Sequence, residues 1–460
     1  MLSSLQGKTP LKMSEKQKMT FSPLDGRYRN DLPWELSEEA SLFFQLEVEK
    51  AWFKILIEKG LTPKISDSDL NKVFSAVTQE KIDEIEKTTR HATRALVEAI
   101  ANEFKALGQV DAARWVHVGL TSFDTVDTAQ RLRLRAYMEK AFHPALDSLK
   151  KTLRDLARKN KDTLQCGRTH GQWAVPTLFG LVFAKAHERI SQIEENLKKA
   201  TESLTGKSSG AIGGYHASGL LFENPIEIES EFLKKLSLKR HLSSTQILPP
   251  EDLLSVAQLT YQIGSVVAKL AEDLRHLSRS EIAEVAEGLA PGQVGSSTMP
   301  QKRNPWNFEH VCSLYKILLT KLQLLELDTI SEHQRDLTNS ASGRFYFEFF
   351  DISHLMILRL NKVLPGLEVF SDNMAAHVKK AGSSIFAEAF YVLATKKGVP
   401  DAHSYVREAS REAEKRGVEL FDVLSEKKLF DASTDLNSLR QNILQGSRQK
   451  IAAIMSSWED

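Results

Sequence analysis

Hydrophobic positions along the chain recur at three- and four-residue steps, and the strict alternation that marks a half-buried strand is scarce. Residues 41–60 set Leu42, Phe43, Leu46, Val48, Trp52, Leu56 and Ile57 on one helical stripe. In 141–157, Phe142, Leu146, Leu149, Leu153 and Leu156 keep the same spacing. Pro176 and Gly206 bracket another helical stretch with Leu181, Ala184, Ile190, Ile193 and Leu197. Residues 251–287 hold no proline and a single glycine, Gly264, which predicts a helix well beyond the usual ~11–12 residues. A further stripe of Val311, Leu314, Leu318, Leu322 and Leu325 predicts a helix from Phe308 to Ser331.

These elements predict an all-α fold of three helical domains. Residues 1–20 read as a tail, 21–116 as an N-terminal helical domain and 117–362 as a central long-helix bundle with a loop at 288–305. Residues 363–460 read as a smaller helical domain punctuated by Gly366, Gly382, Gly398 and Gly417. A helix of the predicted length reaches ~50 Å, more than a compact domain needs, so the bundle is expected to complete its core by oligomerisation. No fixed-period repeat supports a monomeric solenoid instead.

Charge narrows the partners. Across 460 residues, 61 Lys and Arg nearly cancel 60 Asp and Glu, so no global field steers the chain toward nucleic acid or membrane. An anionic substrate must then be held by locally clustered cations. Cys166 and Cys312 cannot make a disulfide framework and have no metal-site spacing, which suits a reducing cytoplasm. No apolar run is long enough to span a bilayer, and residues 1–20 lack the hydrophobic core of a signal peptide.

Three segments could carry chemistry. Gly295-Ser296-Ser297-Thr298-Met299-Pro300-Gln301-Lys302-Arg303-Asn304-Pro305 cannot be ordinary helix, because two prolines oppose it. With Gly288 and Gly292 upstream it reads either as a surface connector or as a mobile loop that brings two serines and Lys302 over an anionic substrate. Arg168-Thr169-His170-Gly171-Gln172 presents a histidine from a non-helical turn, either as an incidental loop residue or as a proton donor near neutral pH. His117-Val118-Gly119-Leu120-Thr121-Ser122-Phe123-Asp124 opens a helix. Thr121 and Ser122 suit an N-cap, and a helix N-terminus with two hydroxyls also suits a carboxylate.

The 295–305 run closely resembles the signature loop of the fumarase/aspartase superfamily, whose members eliminate fumarate or a relative of it from succinyl-type substrates. The resemblance makes Ser296 the general base and His170 the general acid, with Ser297, Lys302, Arg303, Asn304, Thr121 and Ser122 at the substrate. Asp25-Gly26-Arg27-Tyr28 resembles an N-terminal element of the bacterial adenylosuccinate lyase family in which the Arg-Tyr pair contacts the nucleotide. Gln334-Arg335-Asp336-Leu337-Thr338-Asn339-Ser340 followed by Arg344 is similar to the run that grips the nucleotide and its phosphate. Thr245-Gln246 before Pro249 resembles a segment whose glutamine binds substrate. Thr88-Thr89-Arg90-His91-Ala92-Thr93-Arg94 matches a substrate-contacting Thr-Thr-x-His-Asp-Val-Lys element, with Arg90 and His91 in place. It departs from that element at Ala92 and Arg94, and His310 stands where bacterial relatives often carry asparagine.

The implied reaction is a β-elimination on adenylosuccinate and on SAICAR, with no metal or organic cofactor. The implied assembly is a homotetramer whose sites draw 88–94, 168–172 and 296–304 from different chains. Rival readings are another superfamily lyase, such as argininosuccinate lyase or the carboxymuconate cycloisomerase, and a non-catalytic helical scaffold on the same fold.

Overall fold

The computed structural model describes residues 21–289, 292, 295, 297–431 and 434–458. Its frame is a bundle of long helices. Helix Ser122–Tyr137 passes through one π-helical stretch, Met138–Phe142, directly into helix His143–Lys159. Helices Gly180–Glu202, Glu251–Leu277, Trp306–Leu327 and Tyr346–Val363 complete the bundle. Their stripes, including Leu146, Leu149, Leu153, Ala184, Ile190, Val311, Leu314 and Leu318, share one buried core. Helix Trp306–Leu327 starts where Pro305 has no N–H to lose, and buried Glu287 accepts the Phe308 N–H at 2.9 Å and the Asn307 side-chain amide at 2.6 Å. The all-α expectation holds. Among the described residues no helix is long and apolar enough to cross a membrane.

Four local readings need correction. The 251–287 helix stops at Leu277, because the absence of proline permits a helix without enforcing one. Beyond it the Ser278 hydroxyl bonds back to the Leu274 carbonyl at 2.7 Å, Ala283 turns left-handed at φ 48°, and Val285–Ala286 pairs with Glu368–Val369. The 308–331 helix is shorter at its far end, closing at Leu327. In helix Glu38–Glu58, Phe43 is exposed and Leu42 half-buried. The helix instead buries Ala40, Phe44, Val48, Trp52 and Leu56 in the bundle core, and Leu46 and Phe53 in a second cluster under helices Asp67–Ala76 and Ala92–Ala106. Finally, residues 164–178 form an antiparallel hairpin, Leu164–Thr169 with Gln172–Leu178, where the sequence predicts only a turn.

A third cluster around Phe386, Phe390, Val406 and Leu424 gathers the shorter helices after Val363, and Cys166 of the hairpin is buried in it. Helix Leu436–Ser456 returns from there to pack on helix Gly180–Glu202 and the hairpin, burying Leu444 and Ile451 in the bundle core. On helix Trp306–Leu327 and just beyond it, Ile317, Leu319, Leu327, Ile330 and Leu337 are exposed, Ile330 at 79%.

Candidate active site

The chemistry-bearing residues gather at two opposite ends of the bundle. At the first end lies the start of helix Ser122–Tyr137, where the Thr121 N–H donates to the Asp124 carboxylate at 2.7 Å. Asp124 and Lys207 form a fully buried ion pair, and Asp124 also accepts the Gly210 N–H at 3.2 Å. With Asp124 spent on these neighbours, the half-buried hydroxyls of Thr121 and Ser122 remain at the helix mouth, where backbone N–H groups favour an anion. Arg335 lies 3.4 Å above the Phe123 ring and donates to Gln246 Oε1 at 3.1 Å, so two separately read motifs meet here. Thr245 Oγ1 donates to the Gln334 carbonyl at 2.8 Å and ties the same two segments again. Ser340 and Arg344 are exposed between Arg335 and the start of helix Tyr346–Val363.

His91 caps helix Ala92–Ala106, its Nδ1 accepting the Arg94 N–H at 3.3 Å. Ala92 is therefore the first residue of that helix, and Arg90 before it is left-handed at φ 50° and exposed. The Arg94 side chain pairs with Glu98 at 2.7 Å. One residue that the sequence does not single out stands at the head of the 117–124 segment. His117 Nδ1 lies 2.7 Å from Glu49 Oε1, and the same buried carboxylate accepts Thr125 Oγ1 at 2.6 Å. Burial alone would push His117 down, but Glu49 outweighs it and holds the imidazole above its ordinary value of 6.5. Two cues lay in the sequence: a histidine one residue removed from Gly119-Leu120-Thr121-Ser122, and an acid at Glu49 among the apolar positions of its helix.

At the second end lie the described residues of the 288–305 segment. Ser296 lies outside the described residues. Ser297 and Lys302 are exposed. The loop is pinched at its neck, where a Cβ on Gly295 would meet the Lys302 carbonyl at 2.3 Å and Asn304 Nδ2 donates to the Gly295 carbonyl at 3.2 Å. Arg303 pairs with Glu368 at 3.0 Å and donates to the Glu287 carbonyl at 2.8 Å, so it anchors the loop to the protein body. Tyr28 reaches the same end through its hydroxyl, 3.0 Å from Nε2 of His310 in the first turns of helix Trp306–Leu327. Burial lowers His310, and the charges of Arg359 and Arg27 lower it further, which places Arg27 nearby. His170 stands exposed at the tip of the hairpin with φ 53°, followed by Gly171 at φ 75°. Arg168 in that hairpin pairs with Glu284, just past the end of helix Glu251–Leu277.

The two ends are far apart within one chain. Helix Glu251–Leu277 has 27 residues, so about 40 Å separates Gln246 at its start from the Glu284 region after its end. Helix Trp306–Leu327 repeats the separation in reverse, leaving the Asn304 loop and arriving at Arg335. Arg27, Tyr28, His170, Ser297, Lys302, Arg303 and Asn304 thus belong to one end. Thr121, Ser122, Gln246, Arg335, Ser340 and Arg344 belong to the other, and so do His91 and Arg90, since Arg94 is close enough for its charge to act on His117.

A family model described as "Lyase" matches residues 29–316. The chain is 32% identical over 417 residues to the adenylosuccinate lyase of Archaeoglobus fulgidus, covering 88% of this chain and 90% of the relative. It is 33% identical to that of Pyrococcus abyssi, covering 96% and 99%, and 34% identical to that of Helicobacter pylori strain 26695, covering 82% and 84%. Among solved structures it resembles the 3-carboxy-cis,cis-muconate lactonizing enzyme of Pseudomonas putida, with TM-score 0.79, 24% identity and coverage of 91% and 95%. It also resembles a fumarate lyase of Mesorhizobium sp. BNC1, with TM-score 0.78, 22% identity and coverage of 94% and 97%. At such identities the two structures bear on the fold alone.

Proposed function

The chain belongs to the adenylosuccinate lyase family of the fumarase/aspartase superfamily, and from that membership we propose that it releases fumarate from adenylosuccinate and from SAICAR, leaving AMP and AICAR. The observation that carries the reading is the meeting of Gln246 and Arg335 over Phe123, beside the mouth of helix Ser122–Tyr137. A guanidinium held flat on a ring offers its edge to a phosphate, and the helix mouth suits a carboxylate. A phosphorylated succinyl substrate carries both groups.

In this reading Ser296 Oγ takes the proton from the carbon beside a carboxylate. Those electrons form the C=C bond of fumarate, the C–N bond breaks, and the departing nitrogen takes a proton from His170. Lys302, Asn304, Thr121 and Ser122 hold the carboxylate on which charge accumulates. Arg27 and Tyr28 contact the nucleotide, and Arg335, Ser340 and Arg344 its phosphate.

His117 adds a cation beside the helix mouth, and it gives a pH prediction. A group raised in the folded state contributes below its unfolded value near 6.5, and that contribution is lost as pH climbs through the folded value. KM for the anionic substrate is therefore expected to rise on the alkaline side, and Glu49→Gln to move that limb to lower pH. KM profiles between about pH 6 and 9 check it, and coincident profiles would remove His117 from the binding account.

The assembly belongs to the same proposal. Since about 40 Å separates the two ends in one chain, a complete site needs ends from different chains, as in a homotetramer. The exposed Ile317, Leu319, Leu327, Ile330 and Leu337 supply apolar surface on and beyond helix Trp306–Leu327 for such packing. A cytoplasmic setting suits the free cysteines, Cys166 and Cys312. The direct assay is ultraviolet detection of fumarate release from adenylosuccinate, with argininosuccinate, which has no phosphate, alongside. Turnover of adenylosuccinate alone supports the reading, and turnover of argininosuccinate alone would replace it.

A further inference from the structure

His170 sits on a support that is weak by itself. A two-stranded hairpin is marginal in isolation, and this one slips register between Cys166 and Arg168. A non-glycine residue at φ 53° keeps that conformation only where its surroundings impose it. Cys166 and helix Leu436–Ser456 pack the body of the hairpin, while the polar side chains nearer its tip converge on one carboxylate. Glu284, fully buried, accepts Arg168 Nη2 at 2.7 Å and Nη1 at 3.2 Å, Gln165 Nε2 at 2.7 Å, and lies 2.7 Å from His377 Nδ1. Gln165 and Arg168 belong to the hairpin strand that leads into His170, and His377 to helix Ser371–Ala381. On the other strand the Trp173 ring lies 6.2 Å from His377.

Glu284 is itself held on both sides. Its N–H donates to the Leu277 carbonyl at 3.0 Å, and its carbonyl accepts the Phe370 N–H at 2.9 Å. It therefore transmits the position of the long helix end to the hairpin. Burial alone would raise its carboxyl, but Arg168, Gln165 and His377 together hold it below the ordinary value, so it stays an anion that keeps Arg168 in place.

We propose that Glu284 is a positioning residue for the proton-transfer step, fixing His170 against the leaving nitrogen by gripping the hairpin through Gln165 and Arg168 while His377 braces it from the C-terminal helices. This rests on the assignment of His170 as the acid. A carboxylate that only stabilised the fold would lower the amount of active protein. One that aims His170 lowers kcat in protein that is folded and binds substrate normally.

The test is steady-state fumarate release with thermal melting for Glu284→Gln, His377→Phe and His170→Gln. Glu284→Gln is expected to lose roughly tenfold to a hundredfold in kcat with KM within about twofold, since a misplacement near 1 Å costs about that much. His377→Phe leaves the Arg168 pair intact and is expected to lose about three- to fivefold in kcat. If Glu284→Gln does not fold, His377→Phe decides. A folded variant that keeps the wild-type kcat, or whose KM rises in step with the loss, overturns the proposal. A His170→Gln variant that retains turnover would instead overturn the assignment of the acid.

Discussion

His170→Gln is expected to lower kcat for adenylosuccinate by roughly a thousandfold while KM stays within about threefold, the range a positioned general acid supplies. Glutamine keeps a polar side chain of similar reach at the hairpin tip but cannot deliver a proton to the departing nitrogen. Without that proton the nitrogen leaves as a poor anion, so the loss falls on the chemical step. The hairpin bonds nearby come from Gln165 and Arg168, so the variant should melt with the wild type. Ser296→Ala, which removes the proposed base, should fall by a comparable factor. Initial rates followed by ultraviolet absorbance check both, and a His170→Gln rate within tenfold of wild type would refute the assignment.

The second large effect is on stability. Lys207→Met is expected to cost about 3–5 kcal/mol, the usual penalty for leaving a buried charge without its partner. Lys207 and Asp124 are both fully buried, and once the ammonium is gone Asp124 keeps the Thr121 and Gly210 N–H groups but no cation among the described residues that pairs with it. The helix start that Asp124 belongs to is also the proposed carboxylate site, so the surviving protein should bind substrate more weakly. Adding Asp124→Asn should recover part of the stability, because the neutral amide no longer needs the cation. Denaturation midpoints of the single and double variants test this. A double variant as unstable as the two losses summed would mean that the pair is not coupled.

How much of this could be read from the sequence depends on the range of the interaction involved. The long helices were legible because their stripes are local: Leu146, Leu149 and Leu153 bury as their spacing implies. Their ends were less so, since the turn at Ala283 and the pairing of Val285–Ala286 with Glu368–Val369 join residues more than eighty positions apart. The hairpin escaped notice because it is short, bulged and half exposed, so no clean alternation marks it. The candidate site residues were found by the order of residues in motifs rather than by physics. What the motifs could not give is their partition between the bundle ends, or partners such as Glu49 for His117 and Glu284 for Arg168. Those partners are carboxylates on other elements, and which cation each one meets becomes visible only when the chain is folded.

The central claim is that two half-sites about 40 Å apart in one chain meet between chains. The most direct measurement mixes two inactive variants, His170→Gln from one end and Arg335→Ala from the other, dissociates and reassociates them, and assays fumarate release. Equal mixing should restore about a quarter of the wild-type activity, because that fraction of sites receives an intact half from each kind of chain. Hybrids that form, as seen by native mass spectrometry, and yet stay as inactive as their parents would mean that each chain builds its site alone.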